Sequence, residues 1–415
     1  MHRYKEFALV IFLWCTVASA QNTDMTILHP GGRLAGMTSA GMAIAGGTDA
    51  FDLNPAGLAA ARSVTAALGF ETSLYRYHLR NVRYEENASG ARIFEWQTSQ
   101  LRLSQAAIIL PFSSDLSIGL GFLQKMNPFT ENVYRAITWS PLFYQTTQGG
   151  LYALTLAAAY PLHKNVSIGL SAYRYMSSIR SRIVGDNHGN DTDKWAQLQH
   201  RFEGYSAKMA LQALCGCFHL GAALSTPTPL VITVEKEISD DRLYAGYLPD
   251  YDDIEWELPW ILQLGIALRL SENLTIACDL ERQFFEDTDI HLNLFEYSGL
   301  PNWNPVTILR SGIEFSVPAW PDVPLRLGYA QLPQQYTATD AEGIRNTILN
   351  YEYGRRNIRH LMTAGTNLPF GALRLHCTVG YSIVQSQRSF QTRIYIEDDY
   401  TQRDYSLDLQ LCYTL

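Results

Sequence analysis

The chain predicts an all-β protein: a transmembrane antiparallel β-barrel of about fourteen strands with an N-terminal plug, or hatch, inside its lumen. Three observations lead there. The final segment, Tyr405–Leu415, alternates without a slip, with Tyr405, Leu407, Leu409, Leu411, Tyr413 and Leu415 on one face and Ser406, Asp408, Gln410, Cys412 and Thr414 on the other. A period of two is the pattern of a strand with one apolar and one wet face. Tyr405 and Tyr413 lie roughly 27 Å apart along such a strand, or about 20 Å once it tilts by ~40°, close to the separation of the two aromatic girdles of a membrane barrel. The second observation is that similar segments recur along the chain. The third is that the connections between them alternate between short and long.

Taken from the N-terminus, Arg3 and Lys5 precede an apolar stretch from Phe7 to Val17, and Ala18-Ser19-Ala20 forms a small-residue cleavage site before Gln21. This reads as a secretory signal, so residues 1–20 are set aside as a signal peptide cleaved after Ala20. Residues 21–61, rich in Gly, Ala and Met, form the plug; residues 62–415 form the barrel. After the signal no apolar run reaches the ~18–20 residues of a membrane-spanning helix. The net charge of −8 argues against nucleic acid as a partner. Five cysteines remain after the signal, an odd number without a disulfide framework. Cys215 and Cys217 are expected on one face of a strand, and neither a metal nor a cofactor is called for.

The alternating runs place strands near 62–78, 93–110, 116–125, 149–161, 166–183, 200–213, 217–237, 255–269, 274–289, 305–317, 324–332, 358–369, 372–392 and 402–415. Short turns are expected near 111–115, 162–165, 214–217, 271–273, 318–323 and 369–372. Long polar loops are expected near 184–199, 239–255, 290–304, 333–357 and 393–401. An even count puts both chain ends on the periplasmic side.

The same alternation sends charge inward. Arg269, Asp279, Glu281, Arg310, Glu314, Arg326 and Arg374 fall on the lumenal rows, with Glu71, His376 and Asp408. An Arg or Lys facing lipid at mid-bilayer costs about 2–4 kcal/mol, so an inward network is the expected arrangement. Either these groups line a polar channel, or they pair with one another and with the plug. Before the first strand, Asn54-Pro55-Ala56-Gly57 reads as a compact, non-helical corner, because Pro55 fixes its own φ and disfavours the α region at Asn54.

At this point the chain resembles the FadL/TodX superfamily of outer-membrane transporters of fatty acids and hydrocarbons, including PorV-like relatives. The resemblance rests on Gly32-Arg33, Gly36-Met37, Ala40, Ala43, Ala45, Asp49, Ala50 and above all Asn54-Pro55-Ala56-Gly57-Leu58. Later hairpins, Leu264–Ala267 with Leu274–Asp279 and Arg310–Phe315 with Pro324–Tyr329, add to it. Two departures stand out: Thr38-Ser39 where such proteins often carry two glycines, and a terminal Leu415 instead of an aromatic residue.

The resemblance implies a bacterial outer-membrane location among outer-membrane lipids, and a hatch gated around Asn54, Pro55, Ala56 and Gly57. It also implies passive uptake of a hydrophobic small molecule, with sideways exit at a kinked strand. Asn127-Pro128, after the third strand, is the candidate kink, since proline removes a ladder donor. Leu142, Phe143, Tyr144, Leu292, Leu294 and Phe295 are candidates for capturing the apolar ligand. The alternative is a PorV-like interaction barrel that holds a secreted protein partner through its long loops. No Gly-x-Ser-x-Gly elbow, His-Glu-x-x-His or phosphate loop is present, so an enzyme is not expected.

Overall fold

Antiparallel pairing runs strand to strand in chain order and returns from the last strand to the first. The structure, a computed structural model, describes residues 32–415 apart from 86–87, 114, 127–129, 136–141, 187–193, 239–253, 286–301, 304, 334–335, 338–349, 353–357 and 392–394. The segment 1–20 therefore lies outside the described residues. The strands are β1 (Thr65–Glu85), β2 (Ala88–Pro111), β3 in two pieces (Ser117–Met126 and Thr130–Arg135), β4 in two pieces (Leu142–Gly149 and Leu151–His163), β5 (Val166–Asp186) and β6 (Lys194–Cys215). There follow β7 in two pieces (Phe218–Ser225 and Thr228–Ile238), β8 in two pieces (Ile254–Leu258 and Ile261–Ser271), β9 (Leu274–Gln283) and β10 (Val306–Val317). The last four are β11 (Trp320–Pro333), β12 (Ile358–Phe370), β13 (Leu373–Gln391) and β14 (Tyr395–Thr414). The β1–β14 ladder, from Thr65↔Thr414 to Tyr84↔Tyr395, closes a fourteen-stranded barrel.

The turns at one end are short, and Leu415 N–H donates to the Val64 carbonyl there, so the barrel begins and ends at the same rim. At Cys215-Gly216-Cys217 the turn is so tight that Cys215 closes the β6 ladder against Phe218 while Cys217 lies in the turn itself. The two cysteines therefore do not share a strand face as expected. At the opposite end β1 and β2 continue to Glu85↔Ala88, beyond the expected strand ends at 78 and 93, and β14 begins at Tyr395 within an expected loop. Conversely, β9 stops at Gln283, short of the expected 289.

Side-chain rows follow the alternation. Leu264 and Ile266 of β8 face outward and are exposed, while Gln263 and Ala267 face inward and are buried. Tyr405, Leu407, Leu409, Leu411 and Tyr413 are exposed outward, and Gln410 and Cys412 are buried inward. An exterior of contiguous exposed Leu, Ile, Phe and Tyr is far larger than the apolar patch a water-soluble monomer shows, and it is the surface a bilayer solvates.

One ladder is shorter than its neighbours. β2 pairs with β3 only from Pro111↔Ser117 to Gln105↔Leu123, whereas its pairing with β1 continues to Ala88. Among the described residues, the part of β2 beyond Gln105 has β1 as its ladder partner. The candidate kink Asn127-Pro128 sits just after the Ser117–Met126 piece of β3 but lies outside the described residues.

Residues 32–61 lie against the inner wall in the half of the lumen nearest the short turns. Three short 3-10 helices, Leu34–Met37, Gly47–Phe51 and Pro55–Ala60, carry half of this segment. The corner at Asn54–Gly57 is thus helical, against expectation: Pro55 occupies the first helical position, where its missing N–H costs nothing, and Asn54 caps the helix. Wall glycines let this segment approach backbone to backbone. A Cβ on Gly169 of β5 would come within 2.2 Å of the Ala56 nitrogen, and one on Gly328 of β11 within 2.3 Å of the Met37 carbonyl carbon.

Ile266→Arg, which puts a cation on the outward row of β8, is expected to destabilise the barrel by about 2–4 kcal/mol if this row crosses the bilayer middle. Equilibrium urea unfolding in lipid vesicles measures this, and a loss below about 0.5 kcal/mol would contradict the assigned face.

Candidate functional site

The lumen is built in three layers. Nearest the short turns, wall side chains clamp the N-terminal segment. The Asp279 carboxylate of β9 accepts both the Gly41 N–H (2.7 Å) and the Met42 N–H (2.8 Å). Asn54 uses its whole amide: its Nδ2 donates to the Met42 carbonyl (2.8 Å) and to the Leu211 carbonyl of β6 (3.0 Å), and its Oδ1 accepts the Ala56 N–H (3.1 Å). Arg33 meets Glu314 of β10 with two nitrogens, at 2.9 and 2.7 Å, and Arg326 of β11 reaches the same carboxylate at 2.6 Å. Asn367 of β12 accepts from Arg326 at 2.6 Å. Gly57 is required here for space, since a Cβ on it would stand 2.0 Å from the Ala45 carbonyl oxygen.

Asp49 lies in the same layer, fully within the fold, and accepts the Leu34 N–H at 3.3 Å. Burial pushes its carboxyl above the usual carboxylate range, outweighing the downward pull of Arg33 and Arg326.

The middle layer is a belt of paired charge and amide. Asp52 of the N-terminal segment pairs with Lys125 of β3, and Lys208 of β6 donates to the Asp52 carbonyl. From Lys208 the chain of contacts passes to Gln263 (2.9 Å), from Gln263 to Glu281 (3.0 Å) and from Arg310 to Glu281 (2.8 Å). The Phe51 carbonyl accepts from the Tyr173 hydroxyl at 3.3 Å and from Ser171 at 3.4 Å, and the Lys125 ammonium sits 5.0 Å from the Tyr173 ring centre.

Beyond the belt the lumen turns apolar on the β5–β10 side. Tyr175, Phe202, Leu230, Trp256, Phe285 and Ile308 form a buried cluster contributed by strands β5 to β10 and the residues just after β9. The Phe202 and Trp256 rings lie 6.0 Å apart at 51°. Between belt and cluster is a cavity of 20 Å³, lined by Lys125, Tyr173, Lys208, Thr228 and Ile261 among others. That is room for a single water.

Of the seven lumenal charges expected, five take part: Asp279, Glu281, Arg310, Glu314 and Arg326. Arg269 and Arg374 lie on inward rows but are exposed near the short-turn rim. Leu142, Phe143 and Tyr144 open the first piece of β4. Leu292, Leu294 and Phe295 lie outside the described residues. Sequence reasoning missed Asp52, Lys125 and Lys208. The available signal was that Lys125 and Lys208 fall within alternating runs, where an outward lysine is costly.

Asn54→Leu is expected to unseat the N-terminal segment while the barrel persists, because it strands three buried backbone groups at about 1–3 kcal/mol each. Trypsin cleavage at Arg33 and Arg62 should quicken at least tenfold, with the heat-modifiable gel mobility of the barrel unchanged. A second expectation concerns acidity. Because docking raises the Asp49 pKa, its contribution to docking is complete below the undocked value of about 3.9 and is lost as pH rises through the docked value. Protection of the segment from a protease active at low pH should therefore increase on acidification from neutrality, and Asp49→Asn should flatten that dependence.

No family model matches the chain, and no curated protein matches its sequence. Solved structures do share its fold. A FadL homologue of Pseudomonas aeruginosa aligns over 94% of this chain and 99% of its own, at TM-score 0.63 and 11% identity. The toluene transporter TodX of P. putida aligns over 89% and 94% at TM-score 0.54 and 15% identity. The toluene transporter TbuX of Ralstonia pickettii aligns over 92% and 98% at TM-score 0.51 and 13% identity. The fold of this chain is therefore the fourteen-stranded FadL/TodX-type barrel, matched along nearly its whole length.

Proposed function

We propose that the protein is an outer-membrane channel for passive uptake of hydrophobic small molecules, long-chain fatty acids or hydrocarbons. Residues 32–61 act as its hatch. The observation that carries this reading is the order of the lumenal layers: a buried apolar cluster stands directly over a polar, internally paired seal. A general porin keeps a polar lumen filled with water. Here the β5–β10 side of the outer lumen carries a buried apolar and aromatic cluster, suited to a ligand that leaves water, and the inner half is closed by the N-terminal segment. Similarity to the toluene transporters TodX and TbuX supports the same substrate class.

Ligand leaves sideways, between β2 and β3, where pairing stops at Gln105↔Leu123. Leu142–Tyr144 at the outer part of β4 contribute to capture, and movement of the Asn54–Gly57 corner accompanies passage.

The test is uptake of radiolabelled oleic acid and toluene by cells producing the full chain, compared with cells lacking it. Phe202→Asp and Leu230→Asp are expected to lower the protein-dependent rate at least tenfold, since an unpaired carboxylate in the apolar cluster costs several kcal/mol of ligand accommodation. Gel mobility establishes that each variant is folded. Equal uptake with and without the protein would reject the reading.

A further inference from the structure

The wall has a second interruption, on the side that carries the apolar cluster. Ladder pairing of β7 with β8 stops at Ser225↔Ile261 and resumes at Thr228↔Leu258. Two residues are passed over on each strand, Thr226-Pro227 on β7 and Pro259-Trp260 on β8. The register is the same on both sides of the break, so Pro227 stands opposite Pro259 and Thr226 opposite Trp260. Neither proline has an N–H to give. The other two residues turn their backbone groups away from the seam. Thr226 N–H donates to the Ala207 carbonyl of β6 at 2.9 Å, and the Trp260 carbonyl accepts the N–H of Phe284, just past β9, at 3.0 Å. Among the described residues, this level of the β7–β8 seam therefore carries no ladder pair.

The inward face also switches here on both strands. On the side of the short turns Ser225, Ile261 and Gln263 are buried, and beyond the break Thr228, Leu230, Leu258 and Trp256 are. An odd-to-even switch needs one extra residue per strand, so the seam holds a bulge on each of its two sides. Bulges re-aim side chains and are common beside functional sites. Space lies directly behind this one. The 20 Å³ cavity between belt and cluster is lined by Ser225, Thr226, Thr228, Leu258, Pro259 and Ile261, all at the break. The ladder pair Leu230↔Trp256, just beyond, belongs to the apolar cluster. On the outside Trp260 and Tyr205 are exposed, rings of the kind that favour the lipid–water boundary.

We propose that the break between β7 and β8 is a second side port, through which an apolar ligand passes between the lumenal cavity and the outer lipid boundary. The inference rests on the uptake reading and adds a route to the one between β2 and β3. The closed cavity has room for one water, so a ligand passes only when the seam parts. Parting it here breaks no ladder bond, and the flanking pairs stand three residues apart, at most about 10 Å along the strands. The same opening at a fully paired level would leave backbone groups without partners in lipid, which a membrane wall does not tolerate.

The experiment locks the seam. Thr226→Cys with Trp260→Cys puts two thiols on opposed residues, and a disulfide between them ties β7 to β8. Protein-dependent uptake of radiolabelled oleic acid is measured before oxidation with copper phenanthroline, after it, and after reduction with dithiothreitol. The wild-type chain, with its own cysteines, goes through the same steps, and mass spectrometry reads the bridge. Uptake by the paired variant should fall at least by half on oxidation and recover on reduction, with the wild type unchanged. Unchanged uptake with the bridge formed, or an equal fall in the wild type, overturns the port and leaves the transport reading standing. No uptake by the untreated wild type overturns the transport reading and the port with it. If the paired variant is not folded by gel mobility or forms no bridge, Ser225→Cys with Ile261→Cys, the adjoining ladder pair, decides by the same readings.

Discussion

The main chain of residues 32–61 belongs to no sheet, yet it is enclosed by one. Among the described residues, most backbone groups of the wall are committed to the barrel's own ladders, as a lipid-facing sheet requires. The enclosed segment must therefore find its hydrogen-bond partners among wall side chains. Asp279 takes two of its N–H groups, and Gln212 donates to the Ala43 and Ala45 carbonyls at 2.9 and 3.1 Å. Thr363 takes the Thr38 N–H at 3.0 Å, and Tyr173, Ser171 and Lys208 supply the Phe51 and Asp52 carbonyls. Asn54 serves both sides at once. The position of the segment, the identity of the inward polar residues and the glycines that make room between them all follow from this single accounting.

The buried ion pairs are better understood as devices of register than as sources of stability. Removing two charges from water costs several kcal/mol each, and their attraction only offsets this when geometry is good and the remaining lone pairs are bonded. Glu314 meets that condition with two arginines, one from the wall and one from the segment. Glu281 meets it with Arg310 and Gln263. Displacing the segment by one residue would leave Glu314 and Asp52 short of partners in a buried site, a loss much larger than the net worth of the pairs. The pairs thus specify one seating among many that the small Gly and Ala side chains would otherwise permit.

The strands were legible where one face meets lipid and the other does not, because only there does the environment alternate with period two. That is why β8 and β14 read cleanly, and why the outer reaches of β1, β2 and the start of β14 did not. The run Leu79-Arg80-Asn81 breaks the apolar alternation, although the ladder continues through it to Glu85. The inward charges were legible by exclusion from lipid, but their partners were not. Arg33 and Glu314 are 281 residues apart, and nothing local marks either for the other. Gly57 was read only as part of a compact corner, whereas its role is clearance from the Ala45 carbonyl, a contact that exists only once the segment is folded.

The layering also explains why the exit would be lateral on the uptake reading. An apolar ligand gains roughly 25 cal/mol for each Å² it withdraws from water, and the cluster around Phe202 and Trp256 provides that gain. To continue toward the short-turn rim it would have to part Asp52 from Lys125 and Lys208 from Gln263, leaving buried polar groups without partners and offering nothing in return. To pass between β2 and β3 it exchanges one apolar environment for another, so the step is nearly level in free energy for the ligand's tail. On the uptake reading, a polar seal and a short β2–β3 ladder act together: the first makes the axial route unfavourable, and the second favours the sideways route.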